Sequence, residues 1–338
     1  MSATQFDIAK EAQVSQATVS RVLSGDEKVD GVLRLRVQRV LEEKNYHVNA
    51  HARGLRRRAS GQIGLVLKRP SGGLQDDPFV ALLISSMTEV LGRASYSLCV
   101  DLASSTEEQA AILERMLRSD RVDGVVLLEP EMHDERFTRL CEDDFPFVVI
   151  GDPGRVAAPS VDYDNVRAGY LAGQHLIEAG CERVGMIAGP PRVRFSENRI
   201  AGYSAALRDA GQEPTVWHSP FGLRAARQVA GEGFDSSDRC DGLVVLDDVM
   251  AVGAAGAAIE RGLRPGRDLA LVGFNNSGFC DLVEGGLSSI DLDMETMIRC
   301  ATDELLSIVR KRSRWNTRRR VIPCRLVQRG SSRLGGCL

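Results

Sequence analysis

The chain has 338 residues, a formal net charge of −3 and 43% hydrophobic residues, enough for two or three domains with large cores. That composition excludes a disordered polyelectrolyte. The absence of any run of about eighteen apolar residues excludes a membrane-spanning helix, and the polar amino-terminal stretch lacks a signal-peptide pattern, so a cytoplasmic location is expected.

The first readable stretch runs from Thr4 to Leu23. Thr4 and Asp7 have capping-box spacing, which predicts a helix after Thr4, with Ile8, Ala9 and Ala12 on one face. A break at Gln13 and Val14 precedes Ser15, which can cap a second helix. On that helix Val19, Val22 and Leu23 point one way, while Gln16, Ala17, Ser20 and Arg21 share the opposite face. Two short helices with a tight turn, the second presenting small and polar residues outward, form a DNA-reading helix-turn-helix or an ordinary packed helix pair. The string Asp7-Ile8-Ala9-Lys10, followed by Val14-Ser15-Gln16-Ala17-Thr18-Val19-Ser20-Arg21-Val22-Leu23, resembles the headpiece of the LacI/GalR family of bacterial transcription regulators. One position departs: the family usually has Gly in the turn where Gln13 stands, and Gln is strained there if the turn needs positive φ. The resemblance implies that Thr4, Ser15, Gln16, Ala17, Ser20 and Arg21 face DNA.

Asp30 is placed to cap a third helix, on which Leu33, Val37, Val40 and Leu41 recur at helical spacing. Residues 1–58 carry eleven Lys and Arg against seven Asp and Glu, so a segment of +4 precedes a remainder of −7. A basic end on an acidic body suits a polyanion partner at one end only. From Asn49 the chain reads Asn-Ala-His-Ala-Arg-Gly-Leu-Arg-Arg-Arg, either a solvated basic linker or a short helix capped by Asn49 with Ala52 and Leu55 on one face. It looks like the family's hinge helix. That resemblance implies that Asn49 and Ala52 lie at the minor groove while Leu55 wedges a base step, at an unstacking cost of roughly a few kcal/mol offset by contacts with bent DNA.

Strand and helix signals then alternate. Strands are predicted at 63–67, 96–100, 122–128, 147–151, 184–189, 242–246 and 269–274, and helices at 79–91, 107–117, 166–179, 197–210 and 295–309. The alternation predicts an α/β fold with a doubly wound sheet in each of two lobes. Residues 61–330 resemble the periplasmic-binding-protein-like core of the same family, which implies that the chain crosses between lobes and that the helix near 295–309 returns to the first. The basic run from Arg310 to Arg320 reads as a solvated loop. The expected organisation is an all-α headpiece at 1–48, a hinge at 49–60 and a two-lobed core at 61–338.

Ligands of doubly wound sheets sit beyond the carboxyl ends of strands. That rule selects Asp152, Asp247 with Asp248, and Asn275 with Asn276, although polar residues there are also common helix caps. Resemblance implies that Arg199, in Arg-Ile-Ala-Gly-Tyr, holds ligand hydroxyl or carboxylate groups. Asp247 stands where the family often has Asn, and Asn275 where it often has Asp. Phe79 and Phe221 either pack in the core or offer flat faces to a sugar ring. Together these residues favour a carbohydrate effector, with Arg199 keeping an anion open.

The eight cysteines are scattered singly, without Cys-x-x-Cys or paired His spacing, so neither metal nor cofactor is expected. No nucleophile elbow, P-loop or dinucleotide fingerprint argues for an enzyme. The expected function is a ligand-controlled repressor, acting as a homodimer on a pseudopalindromic operator, without membrane contact. Alternatives are a global regulator with a protein corepressor, and a transport solute-binding protein.

Overall fold

The structure is a computed structural model that describes residues 4–23, 26, 28–44, 59–68, 78–131, 134–237, 239–311 and 317–333. The chain divides into two compact units, Met1–Gly61 and Gln62–Leu338.

In the first unit, α1 (Gln5–Glu11), α2 (Gln16–Leu23) and α3 (Gly31–Glu43) enclose a small core. The predicted capping box is formed: the Asp7 amide donates to Thr4 Oγ1 at 3.3 Å and the Thr4 amide to Asp7 Oδ2 at 2.8 Å. Ser15 Oγ accepts from the Thr18 amide at 3.1 Å, and Asp30 Oδ1 from Val32 and Leu33. Gln13 adopts φ 51°, the left-handed conformation that a Gly would take without strain. Arg36 donates to its carbonyl at 3.3 Å, tying the turn to α3. Ile8, Ala12, Val19 and Val37 are fully buried.

The second unit holds two six-stranded sheets. The first has order β11-β5-β4-β3-β1-β2, with β1 (Gln62–Lys68), β2 (Ser97–Ala103), β3 (Gly124–Leu128), β4 (Phe147–Ile150), β5 (Ser160–Tyr163) and β11 (Arg319–Ile322), all parallel. The second has order β12-β10-β9-β8-β6-β7, with β6 (Val184–Ala188), β7 (Thr215–His218), β8 (Gly242–Val245), β9 (Ala270–Phe274), β10 (Ser288–Asp291) and an antiparallel edge, β12 (Arg325–Val327). Central strands such as β3, β4, β6, β8 and β9 are buried along their whole length, which is why they read as continuous apolar runs.

Helices α4 (Pro78–Arg93), α5 (Thr106–Arg118) and α6 (Glu135–Glu142) belong to the first lobe, and α7 (Asn165–Glu178), α8 (Arg194–Asp209), α9 (Leu223–Phe234) and α10 (Asp248–Glu260) to the second. The chain crosses between lobes after β5, after β10, and at Pro323-Cys324 between β11 and β12. The last long helix, α11 (Met294–Lys311), packs on α4 and on β3, β4 and β5, so it does return to the first lobe.

The end of the basic run departs from expectation. Arg319–Ile322 is a strand and not a solvated loop, because Asp152 and Asp162 neutralise Arg319 and β5 offers a free parallel edge. Residues 312–316 lie outside the described part.

Candidate functional site

On α2, Val19 and Val22 turn inward, leaving Gln16, Ala17 and Arg21 exposed and Ser20 half-buried. These four residues therefore lie on the outward side of α2. Thr4 and Ser15 are exposed but engaged in capping, so their hydroxyls hold helix starts at which backbone N–H groups favour an anion. Asn49, Ala52 and Leu55 lie outside the described residues.

In the second unit the candidate site gathers at the carboxyl ends of the two sheets, and Arg199 is its centre. Helices α7 and α8 approach backbone to backbone: a Cβ on Gly169 would lie 2.0 Å from the Arg199 carbonyl oxygen, and one on Gly202 would lie 1.8 Å from the Val166 oxygen. This contact brings Arg199 against Asn165 at the start of α7. Arg199 Nε donates to Asn165 Oδ1 at 3.0 Å and Nη1 to the Leu246 carbonyl at 2.7 Å. The guanidinium lies over the rings of Phe274 (4.5 Å) and Phe195 (5.1 Å), where burial lowers its pKa to about 10. It remains charged at neutral pH, held by cation–π contact and hydrogen bonds in place of water.

Asp152 sits opposite, just beyond β4. Its Oδ2 accepts from Asn198 of α8 at 3.2 Å, a contact that joins the lobes. Its Oδ1 accepts from the Gly154 amide at 2.8 Å and from Arg319 at 3.2 Å. Burial opposes the Asp152 charge, but Gly154, Asn198 and Arg319 together hold its pKa below the ordinary value. Asp162, on β5, also faces Arg319 (3.5 Å) and accepts from Asn165 at 3.0 Å. Its deeper burial prevails and pushes its pKa up to about 6. A second junction lies beyond β1 and β3. There Lys68 pairs with Glu131, whose carbonyl accepts from Arg194 Nε at 3.2 Å.

Asp247 caps α10, accepting from the Met250 amide at 2.7 Å, and is half-buried at the end of β8. Its neighbour Asp248 is internal, accepting from Ser289 Oγ and from the Ser277 amide and hydroxyl. Those bonds fix the loop after β9, where Asn275 takes φ 99° and donates its amide to the Ile290 carbonyl at 2.9 Å. Phe221 is 43% exposed and stacks on Phe195 at 6.2 Å with an interplanar angle of 22°. Phe79 is half-buried and packs on the main apolar cluster.

Sequence reasoning missed Asn165, Asp162, Asn198, Phe195, Arg319, Lys68 and Glu131. Only Phe195 left a usable trace, at i−4 to Arg199 on one helix face. Among the described residues no group of His, Cys, Asp and Glu is arranged to hold a metal ion, and no helix is long and apolar enough to cross a membrane.

Residues 5–49 match the family model described as bacterial regulatory proteins, lacI family, and residues 174–332 match a periplasmic binding protein-like domain. An uncharacterized HTH-type transcriptional regulator in the aml 5′ region of Streptomyces limosus is 31% identical, over 96% of this chain and 93% of that protein. The HTH-type transcriptional regulator MalR of Streptococcus pneumoniae is 31% identical over 62% of this chain and 63% of its own length, so the match spans under two thirds of that relative. Among solved structures, a complex of the transcriptional regulator CelR with cellobiose is 28% identical, with a TM-score of 0.74 over 98% of this chain and all of that one. The lac repressor dimer bound to operator and the anti-inducer ONPF shares the fold, with a TM-score of 0.89 at 22% identity over 99% of this chain and 100% of that one. On these matches, the chain belongs to the lacI family of bacterial regulatory proteins.

Proposed function

We propose that the chain is a sequence-specific transcription repressor that reads a pseudopalindromic operator as a homodimer and answers to a neutral sugar or sugar derivative bound between the core lobes. The observation that carries the ligand class is the internal neutralisation of the cleft. Arg319 is paired with Asp152 and Asp162, Lys68 with Glu131, and Arg199 spends Nε and Nη1 on Asn165 and Leu246. A ligand carboxylate entering here would compete with acceptors already in place, whereas hydroxyl groups can both donate and accept among Asp152, Arg199, Asp247 and Asn275. The stacked Phe195 and Phe221 pair, still half open at Phe221, offers a flat apolar face to a ring. The cellobiose complex of CelR supports the same class.

In this reading Gln16, Ala17, Ser20 and Arg21 face the major groove, while Thr4 and Ser15 set the helix ends at phosphate. Residues 1–48 form the headpiece, 49–60 a hinge whose Asn49, Ala52 and Leu55 meet the minor groove, and 61–338 the dimerising core. The protein is cytoplasmic, is not an enzyme and uses no cofactor.

The test is operator selection from source DNA at fixed salt, because phosphate contacts make affinity steeply salt-dependent. It is followed by titration of the complex with neutral sugars, organic acids and nucleobases. A pseudopalindromic site whose occupancy changes with a sugar is the expected result. Response to nucleobases or acids alone overturns the carbohydrate assignment, and salt-sensitive binding without sequence preference overturns the regulator.

A further inference from the structure

The two lobes meet at a contact that the charge pairs of the cleft do not explain, where the loop after β3 faces the start of α8. Glu131 and Val193 form an isolated antiparallel bridge, and the Arg194 amide donates to the Pro130 carbonyl at 3.4 Å. The Arg194 side chain then reaches into the first lobe. Its Nε donates to the Glu131 carbonyl at 3.2 Å, and its guanidinium lies against Gly154, where any Cβ would overlap it. Gly154 takes φ 69° and leaves open the notch that the guanidinium fills. The receiving loop is braced on the first lobe alone. Its Glu131 carboxylate is held by Lys68 and accepts from Thr106 Oγ1 at 3.2 Å. Behind it the Arg136–Asp134 pair is almost wholly buried. Asp134 Oδ2 accepts from the Glu131 amide at 3.4 Å, and Arg136 Nη2 donates to the Leu128 carbonyl at 3.4 Å. A braced loop receives a charged donor without further ordering, and a hydrogen bond from such a donor is stronger than a neutral one.

Position makes this contact sensitive to lobe movement. The chain crossings join the β5–β11 edge of one sheet to the β10–β12 edge of the other. Glu131 follows β3, two strands in from β5, and Arg194 follows β6, three strands in from β10. Strands lie about 4.8 Å apart, so the contact stands roughly 10–14 Å from the crossings. A relative rotation of about 10° there displaces it by roughly 2 Å, enough to break each of its hydrogen bonds. The Asp152–Asn198 contact lies beyond β4, one strand from β5, and moves about half as far.

We infer that Arg194 is a latch between the lobes, whose contact with Glu131 and Gly154 breaks whenever effector enters or leaves and so sets the rate of effector exchange. This assignment rests on the cleft being the effector site proposed above. The latch is made wholly of the protein's own atoms, so it draws the lobes together independently of what effector adds. Opening is the step that entry and exit share. Loosening the latch therefore speeds both, whereas loss of a direct ligand contact speeds exit alone.

The test begins with amide hydrogen exchange of the full-length protein, of Arg194→Ala, and of Arg192→Ala, which removes an exposed charge from the same loop. Arg194→Ala is expected to speed exchange roughly tenfold at residues 129–131 of the other lobe, the worth of one hydrogen bond to a charged group, while Arg192→Ala leaves them unchanged. Faster exchange confined to residues 192–195 makes Arg194 a local brace and overturns the latch. Gly154→Ala is then made in both backgrounds and followed by urea unfolding. Its backbone strain is common to the two, but only the wild type has a guanidinium in the notch, so it should cost less stability beside Arg194→Ala. Equal costs overturn the notch. Stopped-flow mixing follows with ribose, glucose, maltose and cellobiose, and with citrate and gluconate as an acid arm. For whichever compound binds, Arg194→Ala should raise association and dissociation rates together, severalfold. Faster dissociation alone, or unchanged rates, overturns the assignment. If only the acids bind, the carbohydrate reading fails while the same rates still decide the latch. If no compound binds, the exchange comparison decides it.

Discussion

Replacing Gly202 with Ala tests how Arg199 is positioned. A Cβ at Gly202 would lie 1.8 Å from the Val166 oxygen and 2.8 Å from the Tyr170 nitrogen, whereas ordinary contact begins near 3.4 Å. The oxygen contact is therefore about 1.6 Å too short, and both neighbours are helix backbone that cannot rotate away. Helices α7 and α8 must separate. Overpacking usually costs about 1–3 kcal/mol, and a backbone-on-backbone overlap belongs at the upper end; the better helix propensity of Ala returns up to about 1 kcal/mol. The net expectation is a loss of roughly 2 kcal/mol. Gly256→Ala is the control, because its nearest neighbours are Arg227 side-chain atoms at 3.8 Å, and it should gain about 0.5–1 kcal/mol. Urea unfolding at fixed protein concentration measures both, and ligand titration should show weaker binding for Gly202→Ala alone, since the shift displaces Arg199 from Asn165. Midpoints moving in the same direction for both variants would refute the account of helix approach.

Asp162→Asn probes the buried carboxyl of the cleft. Its folded pKa, about 6, lies above the ordinary 3.8, so the native state holds the proton more tightly than the unfolded chain. Its contribution is fully present below pH 4 and is lost as pH rises through about 6, an effect of up to roughly 3 kcal/mol. The stability of Asp162→Asn relative to wild type should therefore be greater at pH 7.5 than at pH 4.5 by urea unfolding, and a constant difference counts against the shift. Gln13→Gly should relieve the left-handed turn and raise stability by about 0.5–1 kcal/mol, read from slower hydrogen exchange at the amides of α1 to α3. Unchanged exchange means that the turn stores no strain. Arg21→Ala should weaken operator binding more than binding to random DNA at one salt concentration, and equal losses would move Arg21 from base edge to phosphate. Arg199→Lys should lose ligand binding, because a single ammonium cannot reproduce both the donations to Asn165 and Leu246 and the stacking on Phe274.

Sequence reading was strongest where a signal is local. The Thr4–Asp7 box, the Ser15 and Asp30 caps and the burial of Val19 and Val22 depend on residues a few positions apart, and the structure has all of them. Even the strain at Gln13 follows from one residue type in one turn. The long apolar strands were visible because both faces are covered. The four-residue strands β5, β7, β10 and β11 were not singled out: polar and apolar residues mix in them, and β11 pairs with β5 from more than 150 residues away.

The cleft shows the same division more sharply. Arg199, Asp152, Asp247 and Asn275 could be named because each follows a strand or falls in a motif. What each does was decided only in three dimensions. Asp247 proved to cap a helix and Asp248 to hold a loop, while Arg319, which read as loop charge, reaches across from residue 319 to Asp152 and Asp162. The reach of Arg194 to Glu131 has no one-dimensional trace at all. The sequence by itself determined the helix caps, five of the core helices, the long apolar strands and the exposed polar face of α2, because short-range sterics and periodicity specify them. Tertiary structure alone decided which charges cancel and which residues join the lobes, because burial and partner distance are set by three crossings of the chain between its lobes.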